Sequence, residues 1–204
     1  MIIIKYAFKI FRRVKSEFIE ILIKKLPYFS FIHEIQNPTQ PITFEHWYDQ
    51  KILRINNNVT WPVHRSSRII YSQNISCGKG SSPGYMPNSY IQGLGKIIIG
   101  KYSIFAPNIG IISANHDLHD NSKHIYGVIK IGDYCWIGMG AIILPNVELG
   151  DYTIVAAGSV VTKSFPQGYC VIGGSPAKII KNLNKEDCVR YEYESSYVGY
   201  KKIV

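Results

Sequence analysis

The strongest constraint on this chain is an apolar residue at every sixth position. Ile99, Phe105 and Ile111 make one run, and Ile131, Ile137, Ile143, Leu149, Val155 and Val161 make a second. The residue after the anchor is small at Gly100, Ala106, Gly132, Gly138, Gly150 and Ala156. Four residues after the anchor comes a second column, mostly small or apolar: Ser103, Ile109, Cys135, Ala141, Val147, Thr153, Ser159 and Phe165. A few extended residues at roughly 3.3 Å each make a flat side, and one or two turn residues make a corner. Three such sides close a triangular coil. The anchor points inward and stacks on its equivalent one coil above, and the small residue is expected to permit the change of direction. Each coil covers its neighbour's hydrophobic face, so stability is built by stacking. The fold class expected is an all-β solenoid, a parallel β-helix of six-residue repeats.

The register breaks once. Ile111 and Ile131 are not separated by a multiple of six, so residues 113–128, SANHDLHDNSKHIYGV, must contain an excursion. It carries His116, His119 and His124, three of the six histidines. A long loop on a rigid scaffold is where function usually sits.

Outside the repeats the chain is less regular. Residues 1–26 place Ile4, Ala7, Phe8, Phe11, Val14, Phe18, Ile21 and Leu22 at helical spacing, with a basic opposite face, and Pro27 ends the run. This amphipathic helix would pack on protein, or attach peripherally to a membrane. No uncharged run is long enough for a signal-peptide core or a membrane span. A short helix is expected near Phe44–Leu53, irregular first coils over 59–96, a turn at Gly173–Pro176 and a short polar helix over 184–196. The divisions expected are an N-terminal segment 1–58, a repeat domain 59–181 and a tail 182–204.

Of 204 residues, 46% are hydrophobic and 18% charged, which excludes a disordered chain. The net charge of +9 points to anionic partners. Lysines gather at the two ends and form no long run, so nucleic acid is not expected. Cys77, Cys135, Cys170 and Cys188 make no C-x-x-C pair, and reduced thiols in the cytoplasm are the simplest reading.

The repeats, the NHD loop and the run IGDYCWIGMGAIILPNVELGDYTIVAAGSVVTKSFPQGYCVIGGSPAKII resemble the hexapeptide-repeat acyltransferases, over roughly residues 59–181. That broad family includes the maltose, galactoside, serine and xenobiotic acetyltransferases, and WPVHRSSRII, SPGYMPNSYIQG and IGIISANHD look more specifically like its sugar O-acetyltransferases of bacterial surface-polysaccharide pathways. The resemblance implies a left-handed hand and a homotrimer with active sites between subunits. It also implies acetyl-CoA as co-substrate, no metal, and direct attack in a ternary complex.

A sugar hydroxyl is a poor nucleophile until its proton is withdrawn, and imidazole suits that task. His116 matches the family's catalytic histidine, with Asn115 and Asp117 flanking it. Trp136 matches a family tryptophan near the pantetheine arm. Ala156, Ala157, Gly158 and Ser159 form a small-residue strip that would let pantetheine bond to backbone, and Gly138 is a further donor-binding candidate. Thr162, Lys163, Lys178 and Lys181 would face the donor's phosphates. A backbone N–H near Gly138–Gly140 would receive the oxyanion. Some relatives offer a serine where this chain has Met139, and arginines where it has the tail lysines. Tyr85, Met86, Trp61 and His64 are the acceptor candidates. N-acylation of an amino sugar remains an alternative within this chemistry. Outside it stand a γ-class carbonic anhydrase, for which His119 and His124 lack a well-placed third histidine, and a non-catalytic scaffold.

Overall fold

The computed structural model describes residues 26, 29, 31–34, 39–193 and 197–202. The N-terminal amphipathic helix therefore lies, Leu26 apart, outside the described residues. From Arg68 onward the chain winds into a three-faced parallel β-helix. The first face stacks Arg68–Ile70, Tyr90–Gln92, Gly110–Ile112, Ile142–Ile143 and Val160–Val161. The second stacks Ile75–Cys77, Lys96–Ile99, Val128–Ile131 and Glu148–Leu149. The third stacks Ile104–Phe105, Trp136–Ile137, Thr153–Val155 and Cys170–Gly174, closed by antiparallel Ala177–Asn182.

Both sequence columns point inward. Ile111, Ile137, Ile143 and Val161 are fully buried, and so are Ser103, Cys135, Ala141 and Thr153. Each stacked aliphatic anchor contributes about 1.5–3 kcal/mol of burial. Residues 59–96, irregular in sequence, still supply the first-face strands at 68–70 and 90–92, in register with 110–112.

The small residue after the anchor has a different reason from the one expected. A Cβ on Gly132 would lie 2.6 Å from the Asp151 nitrogen, and one on Gly138 2.6 Å from the Val155 oxygen. The space is taken by the next coil. The sharp change of direction falls two residues later, at left-handed backbone. Asn108, Asn146, Gly140 and Gly158 hold these positions with φ of 60°, 65°, 70° and 67°. At the corner between the second and third faces the same conformation is held by Tyr102, Tyr134, Tyr152 and Tyr169. Tyrosine pays about 1 kcal/mol or more to sit there. The offset comes from ring stacking, with centroids 5.3, 4.9 and 5.2 Å apart up the corner.

The tail descends along this tyrosine ladder. Arg190 Nη2 donates to Asp151 Oδ2 at 2.8 Å and to the Tyr169 hydroxyl at 3.1 Å, and the Tyr134 hydroxyl donates to the Tyr191 carbonyl at 2.8 Å. Of the polar helix expected over 184–196, the described residues 184–193 hold one 3-10 turn, Lys185–Asp187, because the ladder offers the residues after it an extended path. A hairpin, Tyr197–Val198 with Lys201–Lys202, then meets the N-terminal segment. There Phe29, Phe31 and Ile42 form a second small core beside the helix Phe44–Lys51. Among the described residues no helix is long and apolar enough to cross a membrane.

Candidate functional site

The excursion leaves the corner between the first and second faces. Its base is pinched shut: Gly127 N–H donates to the Ser113 carbonyl at 2.7 Å, and Lys96 N–H to the Gly127 carbonyl at 3.0 Å. The buried Ser113 hydroxyl donates to the Gln92 carbonyl at 2.6 Å and accepts from Gly95 N–H at 2.9 Å. Gly95 permits this closure, since a Cβ there would collide with the Gly127 carbonyl and lie 2.6 Å from that of Ser113. The loop itself is an antiparallel hairpin, Ala114–His116 against His124–Tyr126.

His116 projects from the end of the first hairpin strand and is exposed. Its Nδ1 lies 2.6 Å from the carbonyl oxygen of Asn121. A carbonyl only accepts, so Nδ1 carries the proton, which leaves Nε2 as the nitrogen able to take one. Asp117 is turned away from the imidazole. Its Oδ1 accepts from His119 N–H at 2.8 Å and Asp120 N–H at 3.0 Å. Asp120 in turn receives Ser122 N–H at 3.1 Å and pairs with Lys123 at 2.8 Å. Lys123, then Ser122, holds the Asp120 carboxyl below the usual carboxylate range. Two aspartates thus shape the turn that delivers the Asn121 carbonyl. Asn115 is exposed beside His116.

The expected donor-side residues gather elsewhere. Trp136 is 49% exposed on the outside of the third face, in a row with Ile104, Ile154 and Val171. Gly138 and Ala156–Gly158 line the corner from the third face to the first, where coils are linked by Asn108 N–H to Pro87, Gly140 N–H to Pro107 and Gly158 N–H to Met139 carbonyls, at 3.0, 3.1 and 2.8 Å. Gly158 opens to solvent, with nothing within 4 Å of an added Cβ. Ser159 does not belong to this surface. It is 1% exposed and its hydroxyl accepts Gly174 N–H at 3.3 Å, as its place in the inward column requires. The N–H groups of Gly138 and Gly140 are also spent on the Val155 and Pro107 carbonyls, which leaves Met139 N–H as the donor of that stretch. Thr162 and Lys163 sit at the excursion's corner, above it, and Lys178 and Lys181 on the closing strand. All three lysines are exposed, and none pairs with a carboxylate among the described residues.

The acceptor candidates divide. Trp61 is 4% exposed and its indole donates to the Pro83 carbonyl at 2.9 Å, so it is core and offers no face to a sugar. Tyr85 is half-buried, stacks on His46 with centroids 4.7 Å apart, and donates its hydroxyl to Pro41 at 3.0 Å. His64 accepts Ser66 N–H on Nδ1 at 3.1 Å. Met86 lies at the same corner as the small strip, one residue before Pro87. Burial pushes the Cys135 thiol up to about 12, and the Cys170 thiol up as well, so neither supplies a thiolate nucleophile. All four cysteines are unpaired. Among the described residues no three His, Cys, Asp or Glu side chains group as a metal site would need. His124 instead packs against His116.

Comparison with known proteins agrees with this architecture. Residues 129–163 match the bacterial transferase hexapeptide family, described as six repeats. A Dictyostelium discoideum protein named "Putative acetyltransferase" is 46% identical over 120 residues, 57% of this chain and 62% of its own. The chain spans about half to three-fifths of the length of the curated relatives it matches. A maltose O-acetyltransferase from Clostridium difficile superposes with a TM-score of 0.52 at 28% identity, covering 84% of this chain and 88% of that one. A galactoside acetyltransferase solved with coenzyme A superposes at 0.60 and 24% identity, covering 86% of each chain. The coils share the left-handed β-helix of these structures. Repeat, coil geometry and neighbours together make this chain similar to the hexapeptide-repeat acetyltransferases of left-handed β-helix fold, with the repeat itself matched over residues 129–163.

Proposed function

We propose that the chain is an acyl-CoA-dependent O-acyltransferase that moves acetyl from acetyl-CoA to a sugar hydroxyl of a glycan or polysaccharide precursor. The observation that carries this is the contact of His116, an exposed residue, whose Nδ1 is committed to the Asn121 carbonyl and whose Nε2 is thereby left to take a proton. In this reading the acceptor oxygen attacks the thioester carbonyl as Nε2 takes its proton. The tetrahedral oxyanion meets the Met139 N–H. Collapse expels the coenzyme A thiolate, which recovers the proton from the imidazolium. The maltose and galactoside relatives support the choice of a sugar hydroxyl.

The donor would lie along the third-to-first corner. Ala157 and Gly158 leave backbone open to the pantetheine amides, Trp136 flanks the arm, Lys178 and Lys181 offset the phosphates from the same chain, and Lys163, at the excursion's corner, would do so from a neighbouring one. His116 is one corner away, across the whole first face. One chain therefore separates base from donor strip, and a homotrimer in which neighbouring corners meet would join them. The outer rows support such packing. Ile142 and Val160 on the first face, and Ile104, Trp136, Ile154 and Val171 on the third, are apolar, whereas the second carries Lys96, Lys130 and Glu148. Four unpaired thiols suit a reducing cytoplasm. The basic segment 1–26 would favour peripheral contact at the inner membrane face.

Thiol release from acetyl-CoA, measured against free sugars, nucleotide sugars and amino sugars, tests the reaction and separates O- from N-acylation. His116→Ala is expected to lower kcat by about 10²–10⁴ with acetyl-CoA affinity within about twofold. Turnover retained in that variant overturns the assignment.

A further inference from the structure

We infer that His124 is a positioning residue for His116, an inference that rests on His116 being the base. The two residues are directly opposed in the hairpin register. Their ring centroids are 4.4 Å apart, with planes at 41°. Tyr126, on the same side of the second strand, continues the row at 6.3 Å and 20° from His124. Three rings thus run side by side along one face of an exposed hairpin.

The geometry needs this second contact. A single hydrogen bond from Nδ1 holds one atom of the imidazole, and because such a bond tolerates bending, small changes in χ1 and χ2 still let the ring pivot about Nδ1. That pivot swings Nε2, the atom that must meet the acceptor proton. Asp117 does not prevent it, because its carboxylate is engaged with the N–H groups of His119 and Asp120. The His124 ring lies against the imidazole and blocks one sense of the pivot. Neither His124 nitrogen has a hydrogen-bond partner among the described residues, so the ring plane is what His124 supplies. Displacing a reacting atom by about 1 Å can cost up to about 10²-fold in rate, and removal of a wall on one side should cost part of that.

The test is steady-state kinetics on three full-length variants. His124→Ala is expected to lower kcat about 10-fold with KM for acetyl-CoA within about twofold, since the donor strip is untouched. His124→Phe keeps a planar ring at the same place and should restore kcat to within about twofold of the unmodified protein. His116→Ala is the control for the underlying reading. If it is inactive while His124→Ala turns over normally, the positioning role falls and the base assignment stands. If His116→Ala remains active, both fall. A His124→Phe enzyme as slow as His124→Ala would overturn the wall and assign the work to a His124 nitrogen.

Discussion

Gln50 is a fully buried side chain that ties the N-terminal segment, the entry to the first coil and the tail together. It is 0% exposed. Its Oε1 accepts from Val63 N–H at 3.0 Å and from the Tyr200 hydroxyl at 2.7 Å, and its Nε2 donates to the Trp61 carbonyl at 3.1 Å. Gln50→Leu keeps the volume and removes every partner. Val63 and Trp61 are buried, so their backbone groups stay unsatisfied at about 1–3 kcal/mol each. Tyr200 is half-buried and its hydroxyl adds about 1 kcal/mol. Leucine's own burial offsets roughly 1 kcal/mol, so the expected loss is about 4 kcal/mol. Urea unfolding followed by circular dichroism at fixed protein concentration measures it, with the m-value unchanged. Tyr200→Phe alone should cost about 1 kcal/mol, and the double variant about 1 kcal/mol less than the sum, because the orphaned hydroxyl is then gone. A Gln50→Leu protein within 1 kcal/mol of the unmodified one, or strict additivity of the pair, would refute this account.

Three further predictions concern other sites. Burial, then the neighbouring His64, lowers His46 to about 4, so the folded state resists a proton that the unfolded chain takes at about 6.5. Stability is therefore complete above about 6.5 and falls as pH drops toward 4, by up to about 3 kcal/mol; His46→Phe should flatten that limb in a pH series of unfolding curves. Asp117→Asn keeps the Oδ1 acceptor of the hairpin turn and should keep most activity, whereas Asp117→Ala should lower kcat by about 10-fold as the Asn121 carbonyl loses its place. Equal activity in the two would remove the turn-shaping role. Gly95→Ala drives a methyl into the pinched base of the excursion and should cost about 2 kcal/mol or more, with kcat falling further than the unfolded fraction explains. Unchanged kcat at full folding would show that the base of the loop does not set the position of His116.

The six-residue register was readable because each coil needs the same inward side chains at the same spacing, and Ile99 through Val161 obey it without exception outside the excursion. The same register carried a signal against Ser159 as a donor contact, since it stands four residues after Val155 in the inward column. Residue size suggested a surface strip; direction decides otherwise. Trp61 carried no such signal, because the entry segment has no period from which to read its facing. The tyrosine ladder was hidden for a different reason. Left-handed corners favour Asn and Gly, as at Asn108 and Gly140, and tyrosines there become sensible only once their stacking across coils is known. His116 was legible from its place in the break. The tautomer was not, because its partner is a backbone carbonyl, and a carbonyl leaves no mark in the choice of residue at Asn121.

The separation of His116 from the small strip makes a sharper claim than the presence of either. Within one chain the base leaves the corner between the first and second faces, and Ala157 with Gly158 lies at the corner between the third and first. A rigid coil cannot fold those corners together, so the proposed reaction requires that each active site draw them from two subunits. His116→Ala removes the base and leaves the strip; Ala157→Trp, at an exposed position with ordinary backbone, blocks the strip and leaves the base. Each variant alone should be nearly inactive. When equal amounts are denatured together and refolded, half of the contributed bases and half of the contributed strips are intact. A site built across two chains is competent when both halves are, so random assembly should restore about one quarter of the unmodified activity. A site built within one chain would receive a defect in every copy, and the mixture would stay as inactive as its parts. Recovery well above the separate variants would therefore support shared sites directly, and an inactive mixture of well-folded trimers would sink them.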